Sequence, residues 1–223
     1  MTEDDEKREA ARAALKYVRQ GETLGVGTGS TVNAFIEALT QARLDVPAAV
    51  ASSEETRERL AAAGIPVREL NDTGPLEVYI DGADEATAHL QLTKGGGGAL
   101  AREKVLAAAS RQFVCIAAAR KLVKVLGRFP LPIEVLPMAR SHVARQLVAL
   151  GGQPQLREGF TTDNGNQILD VRGLSIVDPV GMEAKLGAIA GVVCVGLFAR
   201  RPADVLLLAA PDGVQTLRRN ELR

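Results

Sequence analysis

Between residues 23 and 117 the chain alternates short apolar runs with amphipathic stretches, and this alternation limits the possible folds more than any other feature. Residues 23–26, 48–51, 67–70, 76–80 and 112–117 read as strands, with helices over 32–39 and 54–63. Strands separated by helices cannot close as tight hairpins. They pair in parallel, with the helices packed on the faces of the sheet. A further helix is expected over 4–20, where Ala11, Ala14, Leu15 and Val18 share one face before Gly21 stops it.

The rhythm breaks at Phe129-Pro130-Leu131-Pro132. Beyond it lie a strand (133–136), a helix (140–150), a hairpin (154–162 and 167–171 about Asp163-Asn164-Gly165), a helix (179–189) and a strand (192–198). The order βαββαβ is the split, ferredoxin-like arrangement. Residues 204–208 then return to the first sheet, ahead of a short basic tail. The expected class is therefore α/β: a Rossmann-like, mostly parallel sheet with helices on both faces, plus a smaller ferredoxin-like α+β domain. The domains are drawn at 1–128 with 204–223 and at 129–203, the second expected to build a subunit contact.

Three strand ends carry the chemistry. Lys94-Gly95-Gly96-Gly97-Gly98 runs from an expected strand at 89–93 into the Ala- and Leu-rich helix 99–109, which holds Glu103. Linkers usually mix Gly with Ser and do not join a strand directly to a helix. Glycines here expose backbone amides at a helix N-terminus, which suits a phosphate or a developing oxyanion. Gly27-Thr28-Gly29-Ser30-Thr31 repeats the strand–turn–helix geometry. A Walker loop would need a lysine where Gly29 stands, and a dinucleotide fingerprint would need its third glycine where Ser30 stands. A compact sugar phosphate fits this turn better than a nucleotide. Asp81-Gly82-Ala83-Asp84 follows the strand 76–80, at the edge where open parallel sheets bind ligands. An isolated Asp-Gly pair is ordinary turn chemistry. Beside two glycine loops at the same sheet edge, it reads as part of one site. Lys121, just past the strand 112–117, is close enough to a strand end to reach a phosphate.

Composition removes other classes. Lys plus Arg and Asp plus Glu both number 27, so no net charge draws the chain to nucleic acid or to an anionic membrane. Aromatics are 3% with no Trp, too few for a base-stacking platform. No apolar run is long enough to span a bilayer, and the acidic N-terminus lacks a leader's basic and apolar regions. Cys115 and Cys194 lie in apolar strand-like runs and read as buried small hydrophobes, which fits a reducing, cytoplasmic setting. His89 and His142 have no ligand-spaced neighbours, so no metal is expected; Asp163 and Asp170 flank a turn that accounts for Asp163.

Gly-Thr-Gly-Ser-Thr, Asp-Gly-Ala-Asp-Glu, Lys-Gly-Gly-Gly-Gly-Ala-Leu-x-Arg-Glu-Lys, Pro-Ile-Glu-Val-Leu-Pro-Met-Ala and Thr-Asp-Asn-Gly-Asn occur in that order. Together they resemble type A ribose-5-phosphate isomerase, over residues 4 to 217. The resemblance implies a cofactor-free, homodimeric or homotetrameric enzyme, of which the homodimer is expected here. It would interconvert D-ribose 5-phosphate and D-ribulose 5-phosphate in the non-oxidative pentose phosphate branch. It makes Glu103 the proton-transferring base, with Thr28 to Thr31, Asp81 to Asp84, Lys94 to Gly97 and Lys121 in the substrate-binding segments. On that reading Lys94 and the loop amides stabilise an enediolate, Asp81 assists ring opening, and Asp84 holds sugar hydroxyls and orients Lys94. Ser30 and Thr31 bind the phosphate. Ala118 and Arg120 depart from the Asp and Ser that family members often carry before the last lysine. The other readings are a sugar-phosphate sensor without turnover and a related deaminase or acyl-CoA transferase.

Overall fold

The computed structural model describes residues 2–219. Helix α1 (Glu3–Ala14) opens on Thr2, whose hydroxyl accepts from the Asp5 N–H while the Asp5 carboxylate accepts from the Thr2 N–H. There follow β1 (Leu24–Val26), α2 (Ser30–Ala42), β2 (Ala49–Ala51), α3 (Glu54–Ala62), β3 (Leu76–Gly82), β4 (Glu85–Ala86), β5 (Leu92–Thr93), α4 (Leu100–Ala109) and β6 (Ser110–Ala118). The second half contributes β7 (Leu131–Val135), α5 (Arg140–Ala149), β8 (Gln153–Leu156), β9 (Gln167–Arg172), α6 (Pro179–Gly187) and β10 (Val192–Val195). It ends with β11 (Leu197–Phe198), β12 (Val205–Ala210) and β13 (Gly213–Arg218).

The main sheet runs β13-β12-β6-β3-β1-β2, parallel throughout except for the antiparallel edge β13. Its strands are apolar on both faces, as parallel strands covered twice must be. Val78, Ile80, Val114, Ile116, Val205 and Leu207 face α1 and α2, where Ala10, Ala14, Val32 and Phe35 fill the layer. Their strand neighbours Tyr79, Phe113, Cys115, Leu206 and Leu208 face the other way, against Leu106 of α4, Leu90, Leu92 and Phe198. Completely buried side chains such as Phe35 and Phe113 each contribute roughly 2–3 kcal/mol of transfer free energy. The antiparallel sheet β10-β7-β9-β8 has the strand order of the ferredoxin-like arrangement, with Ile133, Val143, Leu147 and Leu186 in its own core. Its opposite side meets α4 through Leu100, Ile168 and Cys194. Both cysteines are buried free thiols.

Five local expectations change. The helix expected over 4–20 ends at Ala14, tightens into a 3-10 turn over Leu15–Tyr17 and is extended at Val18. Of residues 67–70 only Val67 makes a bridge, to Ala49, and Leu70–Asp72 forms a helical turn. The main sheet, already ended by the three-residue β2, keeps little exposed edge there. The expected strand 89–93 shrinks to Leu92–Thr93, because Leu90 takes φ +62 in the turn from β4, with Thr87 N–H donating to Gln91 O. The expected 154–162 arm stops at Leu156; Asn164-Gly165 does turn the chain, but at the tip of a long connection. The 192–198 run divides at Gly196, β10 pairing with β7 and β11 with β5. The basic tail supplies β13, and its last residues, 220–223, lie outside those described, as does residue 1.

Candidate active site

Asp81, near the end of β3, is completely buried. Its Oδ1 accepts from the Thr28 N–H at 3.1 Å and the Gly82 N–H at 2.7 Å, and its Oδ2 from the Tyr79 hydroxyl. Tyr79 lies two residues earlier in the strand, hence on the same face. Burial, then the Asp81 charge, hold the Tyr79 phenol well above its ordinary range, so it stays a proton donor. Gly27 is needed for this arrangement in an unexpected way. A Cβ there would lie 1.9 Å from Asp81 Oδ1, so the glycine makes room for the carboxylate rather than for a ligand.

Lys94 emerges from β5 into the same buried point. Its Nζ is 2.7 Å from Asp81 Oδ2, 3.2 Å from Glu103 Oε2 and 2.7 Å from the Gly82 carbonyl. Burial alone would weaken the ammonium, but the Asp81 and Glu103 carboxylates outweigh it and raise the pKa. Lys94 is therefore a fixed cation and donor. Glu103 sits in the first turn of α4 at 3% exposure. Its Oε2 approaches Lys94 as an ion pair without an aligned hydrogen bond and has no other partner among the described residues. Burial pushes the Glu103 carboxyl up to about 8; Lys94 opposes that shift and Asp81 adds to it.

The remaining expected residues gather around one cleft of about 280 Å³. Thr28, Gly29, Ser30 and Thr31 form one wall, at the start of α2, where Gly29 takes φ +112 and caps the first helical N–H groups with no side chain among the described residues. Gly82, Ala83 and Asp84 form another, with Asp84 Oδ2 accepting from the Gly96 N–H at 2.8 Å. Gly95, Gly96 and Gly97 close a third side, and Lys94, Glu103 and Lys121 line it too. Lys121 Nζ donates to the Ala83 carbonyl at 2.7 Å; burial lowers its pKa, and Asp84 opposes that shift. Asp81 is the exception. Its oxygens are taken up beneath the floor, whereas Asp84 reaches the opening.

Two features lie outside the expected site residues. The Thr28 hydroxyl turns away from the cleft into a cluster with Ser52 at 2.7 Å and Ser53 at 2.9 Å, which leaves the Thr28 methyl group on the side of Gly97. Ser52-Ser53 also follows a strand, β2, and that position was the available signal. Likewise, Tyr79 is marked only by the period-two relation to Asp81. A larger groove of about 380 Å³ between α3 and α4 has charged walls, but Arg57 is paired with Glu54 and Glu69, and Arg102 with Glu54.

A family model described as ribose 5-phosphate isomerase A (phosphoriboisomerase A) matches residues 48–213. The chain is 50% identical to ribose 5 phosphate isomerase A from Neisseria gonorrhoeae over 97% of each chain, with a TM-score of 0.96. It is 36% identical to ribose 5-phosphate isomerase A from Methanocaldococcus jannaschii, over 97% of this chain and 100% of that one, with a TM-score of 0.91. A third structure, a D-ribose-5-phosphate isomerase in complex with phospho-erythronic acid, is 34% identical over 98% of this chain and 100% of that one, with a TM-score of 0.94. A match over three quarters of the sequence and near-complete superposition on such relatives leave one assignment: the chain belongs to the ribose 5-phosphate isomerase A family of aldose–ketose isomerases.

Proposed function

We propose that this chain interconverts D-ribose 5-phosphate and D-ribulose 5-phosphate through an enediolate, as a cytoplasmic enzyme, with Glu103 as the single base. The observation that carries this reading is a buried carboxylate of raised proton affinity beside a fixed ammonium at the edge of a small polar cleft. The C2–H bond of the open aldose breaks and its proton passes to Glu103; the electron pair becomes the C1–C2 double bond. Lys94 and the loop amides stabilise the charge on oxygen, one such donor being worth about 3 kcal/mol of barrier. Glu103 then returns the proton to C1 while the hydroxyl proton moves from O2 to O1, leaving the ketose. The phosphate sits on the Ser30 and Thr31 amides, with Lys121 beside it. Because Asp84 reaches the opening and Asp81 does not, ring opening and the sugar hydroxyls fall to Asp84, and Asp81 holds Lys94. The phospho-erythronic acid bound by the related isomerase joins a phosphate to a short polyhydroxy acid, the pairing these walls suit.

Purified protein mixed with ribose 5-phosphate should yield ribulose 5-phosphate. Glu103→Gln should lower kcat by about 10²–10⁴-fold with KM nearly intact. Binding without ketose formation would favour a sensor; a kcat within a few-fold of the parent would remove Glu103 from the base role.

A homodimer built through residues 129–203 completes the proposal. Six of the nine large apolar side chains exposed among the described residues lie there, Met138 at 93% and Val177 at 80% being the most open.

A further inference from the structure

Arg157 follows β8 and reaches from the small sheet to the glycine loop. Its Nε and Nη2 hold the Asp170 carboxylate at 2.9 and 2.6 Å. That bidentate pair leaves Nη1, which donates to the Gly95 carbonyl at 3.2 Å and the Gly96 carbonyl at 3.0 Å. The guanidinium also lies 5.4 Å from the centre of the Phe160 ring, and that ring fills the space beside Gly98. The connection bearing Phe160 is anchored in turn. Thr162, Asn164 and Asn166 all donate to Oε1 of the buried Glu134, at 2.9, 3.1 and 2.9 Å. These residues belong to the two sequence motifs that the cleft does not use.

The consequence follows peptide by peptide. The unit joining Gly95 to Gly96 is gripped at both ends, its carbonyl by Arg157 and its N–H by Asp84. The next unit has its carbonyl on Arg157, and a trans peptide points its N–H the opposite way. That N–H belongs to Gly97, which lines the cleft and has no partner among the described residues. A charged donor on the carbonyl also polarises the peptide and strengthens its N–H as a donor. A run of glycines has no side chains of its own to hold such an orientation.

We propose that Arg157, held by Asp170, is a positioning residue of the isomerase reaction: it aims the Gly97 N–H at the oxyanion. The proposal rests on the enediolate reading above. It makes the small antiparallel unit a working part of the active site as well as a contact surface.

The test compares Arg157→Ala, Arg157→Lys and Glu103→Gln with the parent, using ribose 5-phosphate turnover and thermal unfolding. In Arg157→Ala, kcat should fall about 10- to 100-fold while KM moves less than about threefold, since the group acts on the transition state. Millimolar methylguanidinium should restore part of that loss. Arg157→Lys should lie between, because one ammonium cannot hold Asp170 and both carbonyls together. Folded Arg157→Ala with parental kcat, a loss confined to KM, or a loss deaf to methylguanidinium would each overturn the proposal. If Arg157→Ala does not fold, Arg157→Lys decides: reduced kcat at an unchanged unfolding midpoint supports positioning, and parental kcat refutes it. Glu103→Gln separates the two readings. An inactive Glu103→Gln beside a fully active Arg157→Ala rejects only the positioning role, whereas an active Glu103→Gln rejects the base.

Discussion

Glu103 binds its proton tightly because the water that would solvate its charge has been replaced by protein, and Lys94 returns only part of the loss. As the proposed base, Glu103 works once it is ionised, so kcat/KM should climb with pH along a limb near 8 and level off above it. An activity profile already flat between about pH 6 and 9 would contradict that assignment. The same group tilts stability. Between the ordinary 4.5 and about 8 the unfolded carboxyl has lost its proton and the folded one keeps it, so stability falls as pH rises across that window. Glu103→Gln abolishes the tilt. Its unfolding midpoint should therefore drop less than the parent's between about pH 5 and 8.5, by calorimetry. Every role in the proposed proton transfer falls to a side chain or amide of this chain, so dialysis against a chelator is expected to leave turnover unchanged. A loss reversed by a divalent ion would require another mechanism.

At the level of elements, the loops after β1, β3 and β6 leave the same end of the main sheet, and the glycine loop reaches them from β5, which pairs with β4 and β11 in a separate small sheet. Gly27→Ala shows how tightly two of them interlock: the new methyl would meet Asp81 at 1.9 Å. Asp81 would be forced off Lys94, and we expect a loss of roughly 3 kcal/mol or more in stability together with nearly all activity. Unfolding in urea and the rate at saturating substrate measure both. Much of this was legible in sequence, because strand ends followed by glycine or acid are local signals. Gly27 itself was read as a phosphate-loop glycine, and the true reason for it lies 54 residues away in sequence. The direction of the Thr28 hydroxyl, the inward turn of Asp81 and the reach of Arg157 likewise depend on which elements pack together. No periodicity records that. Strand lengths failed for a similar cause: Leu90 and Gly196 interrupt stretches that look like single strands, because the chain there reverses or changes sheets.

For the whole molecule, the exposed apolar side chains of 129–203 predict association. Light scattering should give twice the 23.6 kDa of one chain, and Met138→Asp with Val177→Asp should return it towards a single chain. A parental protein that already runs as a monomer refutes the contact. The four-stranded sheet is also joined through the backbone, beneath the lysine, to the strand pair β5–β11. Gly196 N–H donates to Pro132 O, and Gly196 O accepts from the Lys94 N–H, each at 2.8 Å. The edge of the small sheet thus runs straight into the strand pair that carries the cation. Two backbone bonds at this junction oppose a jaw-like swing of one half over the other, so we expect the sugar to be captured without one. Selectivity has to reside in a pocket built before the substrate arrives, and X-ray scattering profiles with and without ligand should superimpose.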